Sequence, residues 1–386
     1  MKYKNILLTC FIFILTTLFC FAQEDSKDAE TKPYTAAPIG STASAANPEV
    51  SVIVDIQALF TDNEEAENDK DINLHEAELA FQGYLYPNIH GDFIVAMHEH
   101  DGEWEVHPEE AYISFYEMPF GLQAQVGRKL IDFGKLNTIH PHHWAFVSSP
   151  LVLQNFFGEH TWYDDGVQIS ALIPNPANVY IKVYSGVWNG RELGHSHSEK
   201  AEEAEHEHEG EEASEEHVHE HHHHHPVEWS GHVFTGGVRA GIATTENSNI
   251  LLGYSIAWDE DDTATLHAID GTFTYRFPMS YRKFKVYGEY FLGDIEEHGT
   301  EPSGYYATAQ MTLTKYWECG VRYDNSEFIN DDENSIEAYS AFLTRYFSHS
   351  LYLRGEYQHI DAEPEEERFT LQLVWGLGPH SHRLED

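Results

Sequence analysis

The chain has 386 residues, with 22 Lys and Arg against 65 Asp and Glu and a formal charge of −43. That surplus argues against nucleic acid, whose phosphates it would repel, and favours cations as partners. Thirteen per cent aromatic residues beside a negative mean hydropathy leave two fold classes: a large water-soluble β protein, or a barrel that alternates lipid-facing and water-facing residues and so hides its hydrophobicity from the average.

Residues 1–22, MKYKNILLTCFIFILTTLFCFA, carry two early lysines, an apolar core from Ile6 to Phe21 and the small Ala22. They predict a secretory signal peptide cleaved near Ala22/Gln23. Cys20 has Thr17 three residues before it, where a lipidation signal prefers a leucine-like residue, so lipidation is not expected. Cys10 and Cys20 leave with the signal and Cys319 stays, so the exported chain forms no internal disulfide. Residues 23–48, polar and rich in Pro, Ala and Ser, read as a flexible leader. Beyond the signal, no apolar run reaches the roughly 18 residues that a membrane helix needs.

From about residue 50 the chain becomes sixteen segments of period-2 alternation, from VSVIVDIQALF (50–60) to ERFTLQLVWGLG (367–378), separated by turn residues. Most segments exceed the about 5–6 residues of an ordinary strand and match the roughly 9–11 of a tilted spanning strand. Short turns (86–91, 173–178, 345–350) alternate with long acidic connections (61–73, 293–303), as at the two rims of an outer-membrane barrel. The expectation is therefore all-β: a transmembrane antiparallel barrel of about sixteen strands over residues 49–378, followed by a tail, 379–386. Tyr86, Trp104, Trp162, Trp188, Trp258 and Trp317 lie near strand ends and suit interfacial girdles. The alternation turns Glu78, Asp92, Glu110, Glu289 and Glu356 toward the lumen, where they would favour cations.

Two insertions break the regularity. The first, 132–164, is DFGKLNTIHPHHWAFVSSPLVLQNFFGEHTWYD; a connection this long is usually functional, and its apolar half must fold inward or pack on the rim. There His140, His142 and His143, with His160, are candidate ligands for a cation at a constriction, against the alternative that the imidazoles only hold the loop's shape around Pro141. The shorter MHEHDGEWEVH (97–107) reads as a hairpin turn with solvent-facing His98, His100 and His107.

The second insertion, 189–230, holds eleven histidines and eleven glutamates with one lysine between residues 194 and 225. Imidazole binds Zn, Cu and Ni well, and neighbouring carboxylates add negative potential. His195, His197, His206, His208, His217, His219, His221, His222, His223, His224 and His225 offer several overlapping sites rather than one rigid centre. The low-complexity composition suits a surface loop that collects Zn²⁺ or a similar divalent cation; an acidic solubilising loop and a pH sensor are the alternatives. No cofactor is expected beyond such an ion.

Residues 74–170 carry a resemblance. EEAY, PFGLQAQVGR leading into FGKLN, HPHHWAFV with a following PLV, and DDGVQIS are similar to the phosphate-selective-type porins, most of all to a branch described as zinc-regulated outer-membrane proteins. ANPEVSVIVD at the first strand agrees. The resemblance implies an outer-membrane location in a Gram-negative-type bacterium, passive solute passage, contact with lipid and with the barrel assembly machinery, and a homotrimer. Two departures stand out: such porins line their channel with arginine and lysine, which are scarce here, and the chain ends GPHSHRLED rather than on an aromatic, leaving Trp375 as the internal equivalent. No nucleophile elbow or phosphate-cradling loop occurs; Ser148, Ser149 and His143 supply a conceivable rim Ser/His pair, but no enzyme is expected. The expected function is a porin-like channel whose His/Glu loop captures a divalent cation at the mouth. A non-conducting metal-sequestering or adhesive barrel and an anion-type porin are the alternatives.

Overall fold

The computed structural model describes residues 48–63, 71–100, 103–158, 161–176, 179–191, 226–362 and 364–379. The segments read as signal and leader, the loop histidines 195–225, His160 and the last seven residues lie outside the described residues. The strands are β1 Glu49–Thr61, β2 Ile72–Tyr86, β3 Ile89–His100, β4 Glu103–Phe115, β5 Leu122–Leu130, β6 Tyr163–Leu172, β7 Tyr180–Trp188, β8 Val233–Thr245, β9 Ser248–Asp259, β10 Ala264–Arg276, β11 Lys283–Ile295, β12 Ser303–Thr312, β13 Trp317–Phe328, β14 Asp331–Ser348, β15 Leu351–Asp361 and β16 Glu366–Leu377. Each pairs with its sequence neighbour, and β1 closes the ring against β16 from Val52↔Leu377 to Thr61↔Arg368. Closure leaves no unpaired edge, which is what a lipid environment demands of strands.

The period-2 pattern sorts the side chains. Phe81, Phe93, Ile113, Val126, Ile169, Leu252, Ile269 and Val321 are exposed on the outer surface, while Gln82, Asp92, Ser114, Gln168, Asp270 and Glu356 are buried in the lumen. An apolar outside around a polar inside is stable only where the outside meets hydrocarbon. All five carboxylates expected to face inward, Glu78, Asp92, Glu110, Glu289 and Glu356, are buried there.

One rim carries only connections of two to seven residues, and the other carries the two longest, 131–162 and 189–232, beside short turns such as 101–102 and 329–330. Two expectations are corrected. The stretch 97–107 is the expected β3–β4 hairpin, but His98 and His107 are half-buried rather than solvent-facing: their ring centroids stack 5.2 Å apart, and His107 bonds Glu105 at 2.8 Å. Trp162 and Trp188 are buried inside rather than at an interface, and the Trp188 indole donates to the Thr235 hydroxyl at 2.8 Å. Inward packing offers these two indoles more apolar contact than the belt does, whereas Trp317, on the same face of β13 as the exposed Val321, stays on the outside beneath the Arg345 guanidinium at 5.0 Å.

Candidate functional site

The first insertion folds into the barrel and crosses the lumen halfway along the strands. Its neck is closed by the Ile131 N–H donating to the Trp162 carbonyl at 3.0 Å and by one side chain. Asn137 Nδ2 donates to the carbonyls of Ile131 and Trp162, both at 2.9 Å, and its Oδ1 accepts from the Trp162 N–H at 2.6 Å. Gly134 makes the first turn at φ 62°, where a Cβ would come 2.1 Å from Glu289 Oε2, so only glycine fits the approach. Pro141 opens a 3-10 turn, Pro141–His143, and Pro150 precedes a short helix, α1, Leu151–Phe157, which Gly158 ends at φ 83°.

Wall residues then bind the segment's backbone. Glu289 accepts the N–H groups of Lys135 and Leu136, both at 2.8 Å, and Glu356 accepts those of Val147 and Ser148 as well as the Ser148 hydroxyl at 2.7 Å. Arg239, Arg322 and Arg354 donate to the carbonyls of Gly134, Ser148 and Phe146 at 2.8, 2.7 and 3.0 Å. Burying these charges is tolerable because each also meets counter-charge or amide groups, such as Asp324 at 2.7 Å from Arg322 Nε and Gln372 at 2.9 Å from Arg354 Nη1. The luminal arginines therefore act as tethers. Ser148 is one of their targets, with its hydroxyl accepting from Arg322 Nη2 at 2.8 Å.

The segment's apolar side chains pack on the β9–β14 side. Phe133, Phe146, Phe156 and Phe157 share a core with Trp162, Leu266, Phe291, Tyr306 and Phe342, including edge-to-face pairs Phe133–Phe291 at 5.4 Å and Phe156–Phe291 at 5.7 Å.

Its polar turn faces the other side. His140 Nδ1 lies 3.3 Å from both Glu78 Oε2 and Glu109 Oε2, and its Nε2 lies 3.5 Å from Glu110 Oε2. His142 Nδ1 lies 3.6 Å from Glu76 Oε1 and 3.9 Å from Glu78 Oε2. Two sets of donors, Glu78/Glu109/His140 and Glu76/Glu78/His142, each keep their ligand atoms within 4.8 Å of one another. Two bulges assemble them. In β4 Glu110 pairs with Ile94 and Pro108 with Val95, so Glu109 is the extra residue and two successive glutamates turn inward. In β2 the skipped residue is His75, beside Glu76. Burial opposes charge on His140, but the Glu78 carboxylate, aided by hydrogen bonding to Glu109 and Glu110, outweighs it and raises the imidazole well above its usual range.

Of the histidines expected at a constriction, His140 and His142 are buried in this cluster. His143 is exposed with its ring 4.3 Å from that of His142, and it belongs to neither donor set. The carboxylates Glu76 and Glu109 were missed by sequence reasoning. The EAE and EE spellings hinted at them, but the bulges that aim them leave no mark in the sequence.

Below the cluster a cavity of ≈ 1420 Å³ runs from rim residues Glu49, Tyr116 and Tyr180 up to Thr138, Ile139 and His140. Gln82, Asp92, Glu110, Ser114, Gln125 and Lys182 line it. Lys182 sits 3.3 Å from Asp132, which also takes Lys129 at 3.0 Å, so basic charge here is balanced by carboxylate. Above, the base of the His/Glu loop rests on the segment: the Val227 N–H donates to the Phe156 carbonyl at 3.1 Å, and Trp229 stacks on Trp162 at 5.2 Å.

No protein-family profile matches the chain. A stretch of 68 residues is 44% identical to an uncharacterized protein of Aquifex aeolicus (strain VF5), covering 18% of this chain and 14% of that protein's length. Solved structures match far more of the fold. The outer membrane channel DcaP of Acinetobacter baumannii is similar over 89% of this chain and 100% of its own, with TM-score 0.55 and 10% identity. The anion-selective porin from Comamonas acidovorans is similar over 86% and 99%, with TM-score 0.55 and 12% identity. Vibrio cholerae OmpT in its trimer form is similar over 86% and 99%, with TM-score 0.53 and 9% identity. At these identities the likeness is one of fold: a closed antiparallel barrel, of sixteen strands in this chain.

Proposed function

We propose that the chain is an outer-membrane, porin-like barrel that passes small cations passively and gathers a divalent cation such as Zn²⁺ on its His/Glu loop, 194–225. One observation carries the reading: a closed barrel with an apolar outer face has its lumen narrowed by an inward segment, and the space left beside that segment is lined by Asp92 and Glu110 with Glu76, Glu78 and Glu109 at its inner end. Carboxylates in a low-dielectric passage concentrate cations and repel anions. An anion ladder is disfavoured because Arg239, Arg322 and Arg354 hold the segment's carbonyls. We assign the chain to the zinc-regulated branch of the phosphate-selective-type porins on its motifs, with a homotrimer as the assembly.

Planar-bilayer recording of the refolded full chain under a KCl gradient tests the channel. The expected result is discrete conductance with a reversal potential of cation-selective sign. Zero conductance leaves a non-conducting metal-sequestering or adhesive barrel; anion-selective sign moves the chain to the anion porins. Zinc uptake by the full chain and by a chain lacking 194–225 tests the loop. Equal uptake by both removes its capture role.

A further inference from the structure

We infer that the cluster between the Pro141–His143 turn and strands β2 and β4 is a binding site for a divalent transition metal, Zn²⁺ by its chemistry, with Glu78 as the ligand common to His140/Glu109 and His142/Glu76. This site is separate in sequence from the surface loop and does not depend on whether the barrel conducts.

Spacing is the first argument. A tetrahedral zinc with bonds of about 2.0–2.1 Å sets neighbouring donor atoms about 3.3 Å apart, and His140 Nδ1 lies 3.3 Å from one oxygen of Glu78 and 3.3 Å from one of Glu109. A charge-assisted hydrogen bond would close to about 2.7–2.9 Å, and one ring nitrogen has one proton to give, yet two oxygens face this one equally. The His142 distances, 3.6 and 3.9 Å, are wider, so the His140 set is the tighter of the two.

Charge is the second. Four carboxylates, Glu76, Glu78, Glu109 and Glu110, converge on His140 and His142 at 3.3–3.9 Å. Carboxylates brought together in a buried place repel one another and lose solvation, and Glu78 and His142 are 1% and 3% exposed. A divalent cation between them offsets that repulsion. The donor types then choose among cations: imidazole with carboxylate suits zinc, whereas magnesium and calcium prefer all-oxygen shells.

Position is the third. The turn that carries both histidines is held on its far side by the Tyr352 hydroxyl, which donates to the His142 carbonyl, so the imidazoles are aimed at β2 and β4. An ion there joins the inward segment to the wall at the inner end of the cavity, where Thr138, Ile139 and His140 form its roof.

The test uses the full chain with all eleven loop histidines, His195 to His225, changed to glutamine, refolded in detergent, stripped with chelator and titrated with Zn²⁺, Co²⁺ and Mg²⁺. The expected result is stoichiometric Zn²⁺ uptake that survives equilibrium dialysis, Co²⁺ uptake with the intense visible bands of a tetrahedral N/O site, and no Mg²⁺ competition. H140Q and E78Q should each weaken Zn²⁺ binding at least tenfold, and E109Q, whose side chain is partly exposed, checks the set if either fails to refold. Folding is read independently from the heat-dependent gel shift of closed barrels. No retained Zn²⁺ in the loop-substituted chain, or retention unchanged in folded H140Q and E109Q, overturns the site. Because binding is read without any current, a silent bilayer and a metal-free cluster are separate failures.

Discussion

The inward segment meets two unlike halves of the barrel wall. Toward β9–β14 it sends phenylalanines and α1, which lie against Leu266, Phe291, Tyr306 and Phe342; toward β2–β4 it sends His140 and His142, which lie against glutamates. The apolar half behaves as a protein core that happens to sit inside a barrel, and it determines where the segment rests. The polar half leaves a cavity and concentrates charge, so solute and ion chemistry belong there. Substitutions on the two halves should therefore separate stability from selectivity.

The largest effect is expected on the packed half. Arg322 is fully buried, bonded to Asp324, to the Ser148 carbonyl and hydroxyl, and stacked 4.1 Å from the centre of the Phe146 ring. R322A leaves Asp324 and Glu356 in the lumen without their cation, and breaking a buried pair in this way costs about 3–5 kcal/mol. F156A, which empties a site between Phe291 and the segment, should cost about the same by loss of transfer energy and cavity formation. Both are read as shifts of the denaturant midpoint of the refolded barrel, with the slope unchanged.

Next comes the neck. N137A removes the three side-chain hydrogen bonds that tie Ile131 and Trp162 to Asn137, leaves the Ile131 N–H to Trp162 carbonyl bond in place and leaves the Trp162 N–H buried without its Asn137 acceptor; about 1–3 kcal/mol is expected, with the proteolytic sensitivity of 131–162 rising in step. W229A should cost less, about 0.5–1.5 kcal/mol beyond lost area, because Trp229 is only partly buried against the core, where it stacks on Trp162, and the Val227 N–H still bonds Phe156. A cost of W229A equal to that of F156A would mean that the loop base is as much a part of the core as α1.

The strands were legible because spanning strands write their environment as strict alternation: all sixteen segments appear in order, and the inward carboxylates Glu78, Asp92, Glu110, Glu289 and Glu356 were placed on the right face. The rest depends on contacts between distant segments. Trp162 and Trp188 look like belt residues until the segment folds back over them. The ion cluster was half legible, since HPHH announces imidazoles, but a one-residue bulge decides whether Glu109 faces lumen or lipid, and a bulge has no local spelling. Glu289 and Glu356 were read as field charges for ions; they are instead acceptors for the segment's backbone N–H groups, a role that needs the partner's position and not its sequence.

The smallest change in stability, and the one that bears most on selectivity, is expected at Glu110. It lines the cavity, accepts the Leu130 N–H at 3.2 Å through Oε1 and faces His140 Nε2 at 3.5 Å through Oε2, but lies outside both donor sets around Glu78. In E110Q the amide oxygen still accepts from Leu130 while the charge is gone, so the midpoint should move by less than about 1 kcal/mol. The reversal potential under a salt gradient should nevertheless shift toward the unselective value, because one fixed charge has left the passage, while Zn²⁺ uptake by the Glu78 cluster stays within a few-fold of wild type. A reversal potential that does not move would place the ion path on the other side of the segment, and the contrast between the two halves of the lumen would then describe packing alone.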